Sequence, residues 1–395
     1  IVSTSARMKE LYKEIQNSLF DMIPEKWNKI LNNCKDLPDE DSMLGHFCKC
    51  YIKKRAENSD MVYKLIKEEV PLENLSRFLD DLVEYSSAYA IIASKNDDTD
   101  IEYFDIKRNY QVRSLLAAIE VLYKREMITE DDCKTCFHNL RNFFFLFHSC
   151  SYTSNKTDKA IANAAFDVYH TKSEMDFKYV ISDVFGELSK FISSSTVDEL
   201  MFTTSSMHYS LKNSAYKSNH RIVKYILYCL YMPDQRDTVL DQSRLTIEHL
   251  LNDDGSVRNS SIYNLTLTSG EINSNELKNR GLVEKIGILK SQSSVIANQK
   301  LDEYLDAQGE YLEDKRKNDL KEQAISNVFK YEGSPFGYTK EMVDGYLKMK
   351  RALQSDEELL AVLLERGMNI QAYLSNNPAM QDAYNRFLTL CGTTS

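Results

Sequence analysis

The residues with the clearest chemical potential lie in one stretch, LTIEHLLNDDGSVRNSSIYNLTLTSGEINSNELKNRGLVEK, from Leu245 to Lys285. A short apolar run there ends on the pair Glu248-His249, and two asparagines follow, Asn264 and then Asn273 nine residues later. Hydrolysis of a phosphodiester needs a base to activate water. It also needs a hard cation to stabilise the charge that develops on the phosphate and on the leaving oxygen. Neighbouring side chains on a strand point to opposite sides, so one of Glu248 and His249 can face an ion while the other faces substrate. Asn264 lies near the start of a second strand, and Asn273, on the first turn of the next helix, can turn back to the same ion. Oxygen donors of this kind suit Mg²⁺.

The elements that must position these residues are read from the same stretch. LTIEHLL is strand-like, Asn252 to Ser261 is a loop, and Ile262 to Thr268 is a second short strand. Ser269, with Glu271 in the first turn, opens a helix. The order β, β, α stands out because the rest of the chain reads as helix. Apolar residues recur at helical spacing from Ala6 to Asn33, with an interruption at Pro24, then from Met43 to Glu68 and from Pro71 to Ser94. Tyr110 to Lys124 and Thr129 to Cys150 form a helical hairpin with Thr129 as N-cap, and HRIVKYILYCLYM leads into the β, β, α stretch. Only 12 Gly and 6 Pro in 395 residues leave few turn formers for a sheet-rich fold. The expected class is mainly α, a multi-helical scaffold with an embedded small ββα-metal unit.

The residues IEH, then N-L-T-L-T, then an Asn nine residues after the first, then Lys285 resemble the HNH or His-Me finger nuclease module. The likeness is to the copy at the C-terminal end of GmrSD-type modification-dependent restriction endonucleases, and the helix HRIVKYILYCL resembles the helix preceding the motif there. It is detailed over about Ile222 to Leu301. The resemblance implies His249 as general base, Glu248 and Asn273 as ligands of Mg²⁺ or Mn²⁺, and Asn264 as the residue that braces the loop and orients His249. Asn279 and Lys285 match less diagnostic positions. It further implies cleavage of double-stranded DNA, possibly modified, in phage defence, together with a nucleotide-dependent N-terminal domain in the same protein or a partner subunit. No D-G-Q-Q-R-type string of that domain occurs here, and the chain starts at Ile1, so the expectation is the C-terminal piece of a larger enzyme. The chain departs from the family at Leu250, Leu251, Asn252 and Asp253, where I-L-P-Q is usual, and at Tyr263, where Gly is usual. Asp253 and Asp254 are extra acids that could join the metal site or repel phosphate. The expected division is a helical scaffold over 1–215, an HNH-like nuclease domain over 216–332 and a helical segment over 333–395.

A net charge of −10 argues against nonspecific coating of nucleic acid. Arg244 to Lys300 is nearly balanced, however, with seven Lys/Arg against six Asp/Glu, and Lys278, Arg280, Lys285 and Lys290 could hold phosphates near the metal site. A solvated helix face explains them equally well. No apolar run is long enough for a membrane span, and the N-terminal residues lack a signal peptide's apolar core; the expectation is a cytoplasmic protein with reduced cysteines. Two further readings compete with the nuclease. One is a decayed HNH module that docks DNA or protein without cutting. The other is a helical HEPN-like ribonuclease, because Arg141-Asn142 followed by His148 resembles that group's Arg-and-His signature. Cys133-x-x-Cys136 with His138, His148 and Cys150, and His46-Cys48-Cys50, invite a zinc reading, although thiols in aromatic helices pack as small hydrophobes.

Overall fold

The computed structural model describes residues 22–37, 40–52, 59–94, 98–235, 240–278, 280–348 and 350–351. The expected helices over 6–21 and 352–391, and Asn279, lie outside the described residues. Among the described residues the chain is mainly helical, with one two-stranded sheet. After a helix over residues 22–34 come α1 (Glu40–Tyr51), α2 (Ser59–Glu69), α3 (Leu75–Ser94), α4 (Thr99–Ile106), α5 (Arg113–Lys124), α6 (Glu130–Ser149), α7 (Asp158–Tyr169), α8 (Glu174–Ser189), α9 (Ser194–Leu200) and α10 (His220–Tyr231). Then follow β1 (Leu245–His249), β2 (Leu265–Ser269), α11 (Gly270–Asn275), α12 (Leu282–Gln292) and α13 (Glu313–Gln323).

Helix α5 is buried on every side from Ser114 to Leu122, and it packs against α3 and α7. A helix apolar all round belongs at the centre of a core. Helix α6 opens on the expected N-cap Thr129, which forms a capping box: Thr129 accepts from the Asp132 amide and Asp132 from the Thr129 amide. Its aromatic end supplies Phe143, Phe144, Phe145 and Phe147, all buried. Asn139 and Asn142 on the same helix donate to the carbonyls of Glu332 (2.8 Å) and Lys330 (2.6 Å), which fastens the segment after α13 to the scaffold. Beyond the GSPFGY linker, Tyr346 and Lys350 reach the buried Asp176 carboxylate near the start of α8, at 2.9 and 2.6 Å.

One apolar cluster runs from Ile30 to Phe329 and takes in Leu245 and Ile247 of β1 and Leu265 and Leu267 of β2. The core is therefore continuous across the expected boundary at 215/216. An isolated two-stranded hairpin is marginal in water, and here it is covered on both faces, by α10 on one side and by α11 and α12 on the other. The second strand starts three residues later than the sequence indicates. Residues Ile262–Asn264 form a 3₁₀ turn, and pairing is antiparallel from Leu245 opposite Ser269 to His249 opposite Leu265. Ser269 caps α11, accepting from the Ile272 amide as expected.

A polar chain runs through the buried side of β2. The Arg316 guanidinium donates to the Tyr263 carbonyl (2.8 Å), the Leu265 carbonyl (3.0 Å) and the Tyr231 hydroxyl (2.9 Å). Tyr231 contacts Thr266 Oγ1 at 3.1 Å, Thr266 donates to Asn298 Oδ1, and Asn298 Nδ2 donates to the Leu267 carbonyl at 2.8 Å. Arginine can only donate and a carbonyl can only accept, so the direction of every bond in the chain is fixed. Arg316→Ala strands these acceptors in a dry interior and is expected to lower the unfolding free energy by about 3 kcal/mol, read as a lower denaturation midpoint; Arg316→Lys should recover only part of it.

Candidate functional site

The β1 strand sorts the expected site residues by face. Thr246 and Glu248 point toward α11 and α12, whereas Leu245, Ile247 and His249 point the other way, with Leu245 and Ile247 in the main core. On the first face Asn273 Nδ2 donates to Thr246 Oγ1 (3.1 Å) and to the Ile247 carbonyl (3.0 Å). Glu248 and Asn273 therefore share one face of the strand. His249 is on the other, at the strand's end.

Glu248 does not face open solvent. The Lys285 ammonium, 3 % exposed, donates to Glu248 Oε1 at 2.6 Å and to the His249 carbonyl at 2.7 Å. This corrects the expectation of Lys285 as an exposed phosphate contact. Residues 285, 286 and 289 form the buried stripe of α12, and an ammonium placed there needs a carboxylate beside it. Lys290 is exposed but is paired with Asp302. Lys278 and Arg280 stand exposed between α11 and α12, and they are the cations best placed to meet a phosphate backbone.

On the other face, His249 Nε2 lies 3.0 Å from the Tyr209 carbonyl, and the Tyr209 ring stacks near the imidazole at 5.9 Å. A carbonyl cannot donate, so Nε2 carries the proton and Nδ1 of the neutral ring carries the lone pair. Burial lowers the His249 pKa, partly offset by the Tyr209 carbonyl and by the charges of Asp253 and Glu248. The ring is therefore neutral at pH 7.

Asn264, 1 % exposed, braces the loop after His249. Its Oδ1 accepts from the Leu251 amide (2.8 Å), and Nδ2 donates to the Leu251 (2.9 Å) and Asn259 (2.7 Å) carbonyls. These bonds go to backbone, so Asn264 acts on His249 through the chain, and the imidazole itself is held by Tyr209. The loop, which lacks the Pro that the resemblance leads one to expect, is shaped by its own turns. Asp253 accepts from the Gly255 amide, Asp254 from the Ser256 amide, and Gly255 takes φ +81°, a conformation that favours glycine. The two extra acids are thus turn formers. Hydrogen bonds from Ser210 and from the Gly255 and Leu211 amides outweigh burial and keep the Asp253 carboxyl below its ordinary range.

The hard oxygens of Glu248 and Asn273 suit a Mg²⁺ or Mn²⁺ ion that keeps most of its water and completes its shell with phosphate. They do not suit zinc. Among the described residues no group of three or more His, Cys, Asp or Glu is placed to hold an ion. Cys133 and Cys136 are buried in the scaffold core, and burial pushes the Cys136 thiol well up. Cys48 and Cys50 are buried too, their pKa values raised to about 12. Buried thiols held this far from ionisation are packing residues.

Arg141 and His148 do not form a shared cleft. They stand seven residues apart on α6, roughly 10 Å along the axis. Arg141 is 4 % exposed, beside Asp100 (3.2 Å) and over the Phe329 ring. His148 contacts the Tyr103 hydroxyl at 2.8 Å, and burial lowers its pKa to about 3. The sequence did not reveal the segment around Tyr209, because a backbone carbonyl leaves no mark on residue type.

No family model, curated protein or solved structure matches the chain. No helix among the described residues is long and apolar enough to cross a membrane.

His148, His170, His208, His220 and His249 all have pKa values lowered, first by burial. In the unfolded chain each takes up its proton near pH 6.5, while the folded form resists until the pH is lower. Stability should therefore be level above about pH 7 and fall as the pH drops through 6 and below. Denaturation midpoints at pH 7.5 and 5.0 measure this, and His249→Gln should flatten part of the slope.

Proposed function

We propose that this chain is a divalent-metal-dependent DNA endonuclease built on Glu248, His249, Asn264 and Asn273. The observation that carries the reading is the state of His249: neutral, with Nε2–H given to a carbonyl and the Nδ1 lone pair available, at the end of a strand whose next residue back is a carboxylate. A general base at neutral pH needs that protonation state and that fixed tautomer.

In this reading His249 Nδ1 takes a proton from the water that attacks the scissile phosphorus. Asn264 keeps the loop backbone fixed so that the imidazole does not drift, and the Tyr209 carbonyl prevents the ring from flipping. Glu248 and Asn273 would hold the ion, which when bound neutralises charge on the phosphate and the leaving oxygen. Before the ion binds, Lys285 holds the Glu248 carboxylate in place, and Lys278 and Arg280 contact the DNA backbone. Double-stranded DNA, possibly modified, is the proposed substrate. The proposed setting is cytoplasmic phage defence, with a nucleotide-dependent domain, in the same protein or a partner subunit, choosing the target.

A second reading has its own observation. The Lys285 ammonium already sits on Glu248 Oε1, where an ion would bind, and a chain that never exchanges it for metal is a docking module that holds DNA without cutting.

Plasmid nicking separates the two. With Mg²⁺ or Mn²⁺ the wild type should nick, chelator should abolish it, and His249→Ala should lose about 100-fold or more. Equal nicking by wild type and His249→Ala rejects His249 as the base. DNA binding with no nicking by either supports the docking module.

A further inference from the structure

The carbonyl that fixes His249 belongs to a segment 40 residues upstream, and this segment has no strand of its own to hold it. It is stitched to the loop after His249 instead. The Tyr209 amide donates to the Ser260 carbonyl at 2.8 Å, and His208 forms a bridge with Ser261. Asn213 Nδ2 donates to the Gly255 carbonyl at 2.9 Å. The strongest part of the seam is one carboxylate. Asp253 Oδ1 accepts from Ser210 Oγ at 2.7 Å, and Oδ2 accepts from the Leu211 amide at 2.9 Å and the Lys212 amide at 3.4 Å. Ser210, fully buried, accepts in turn from the Lys212 and Asn213 amides at 3.1 and 3.0 Å.

We propose that Asp253 is a positioning residue for His249: its carboxylate locks residues 210–212 so that the adjacent Tyr209 carbonyl holds the imidazole by Nε2–H. Asp253 follows His249 by four residues, so a single short loop carries both the base and the anchor of the base's partner. Charge-assisted bonds to backbone amides are the strong kind, and a carboxylate can accept on both oxygens. An amide at this position cannot, because whichever way it turns its nitrogen faces a backbone donor, the Leu211 N–H on one side or the Gly255 N–H on the other. The proposal rests on the reading of His249 as the base, but the geometry it describes is measurable without any cleavage.

The test uses the full chain with ¹⁵N-labelled histidine, free of DNA and metal, at pH 7.5. The His249 ring nitrogens are assigned by their loss in His249→Asn. The wild type should show one protonated nitrogen, Nε2. Asp253→Asn should show a mixture of the two neutral tautomers, and Ser210→Ala, which removes one hydroxyl and leaves the carboxylate on its amides, should show a smaller admixture. On cleavable duplex, Asp253→Asn should lower kcat between about 10- and 100-fold while KM stays within about 2-fold. A loss of native fold in Asp253→Asn leaves the decision with Ser210→Ala. Ring-nitrogen signals identical to wild type in the folded variants overturn the proposal. If the wild type cuts no DNA, the nuclease reading fails while the ring spectra still decide whether Asp253 sets the tautomer.

Discussion

Everything at the candidate site depends on a buried amide. Asn264 sits where β1 has ended and β2 has not begun, and its side chain satisfies the Leu251 amide and carbonyl and the Asn259 carbonyl, while its own carbonyl accepts from the Leu250 amide. Buried backbone groups that lose their ladder must find other partners. An amide side chain, with donors and an acceptor on one rigid plane, can serve both polarities at once. Ionised aspartate, which only accepts, and alanine cannot, and serine has one hydrogen for two carbonyls. With the loop so fixed, His249 leaves the strand in a set direction, and Asp253 and Gly255 follow at set positions.

The helical scaffold supplies what a two-stranded sheet lacks. Helix α10 packs under β1 and β2, and the chain from Arg316 through Tyr231 and Thr266 to Asn298 gives those four buried side chains directed partners. The Lys285–Glu248 pair, with Glu248 directly across from Thr266 in the register, plays two parts. It neutralises a carboxylate that would otherwise be costly to bury, and it occupies the oxygen that the proposed divalent ion would need.

Much of this was legible in the residues, and the illegible parts have physical reasons. The helices announced themselves by period and caps: Thr129 and Ser269 cap where expected, and the aromatic end of α6 is core. The hairpin was legible at Leu245–His249, but the second strand was placed three residues early, because Ile262-Tyr263-Asn264 has strand composition while Asn264 needs a tight turn to reach Leu251. Lys285 was misplaced at the surface. Its charge is visible in sequence, whereas the rotation that turns residues 285, 286 and 289 inward is decided by α12 packing. Asp253 and Asp254 read as acids that could join a metal site or repel phosphate, and they form turns. The Tyr209 carbonyl had no signal at all, since backbone acceptors are common to every residue.

The central proposal is that Glu248 and Asn273, on one face of β1, hold a divalent ion for the His249 base at the strand's end. The most direct measurement is anomalous diffraction from crystals of the His249→Ala variant bound to duplex DNA and soaked in Mn²⁺. The account predicts a manganese peak within about 2.5 Å of a Glu248 carboxylate oxygen and of Asn273 Oδ1, with a DNA phosphate completing its shell and the Lys285 ammonium displaced from Glu248 Oε1. Bound DNA with no such peak, and Lys285 still on Glu248, would contradict it.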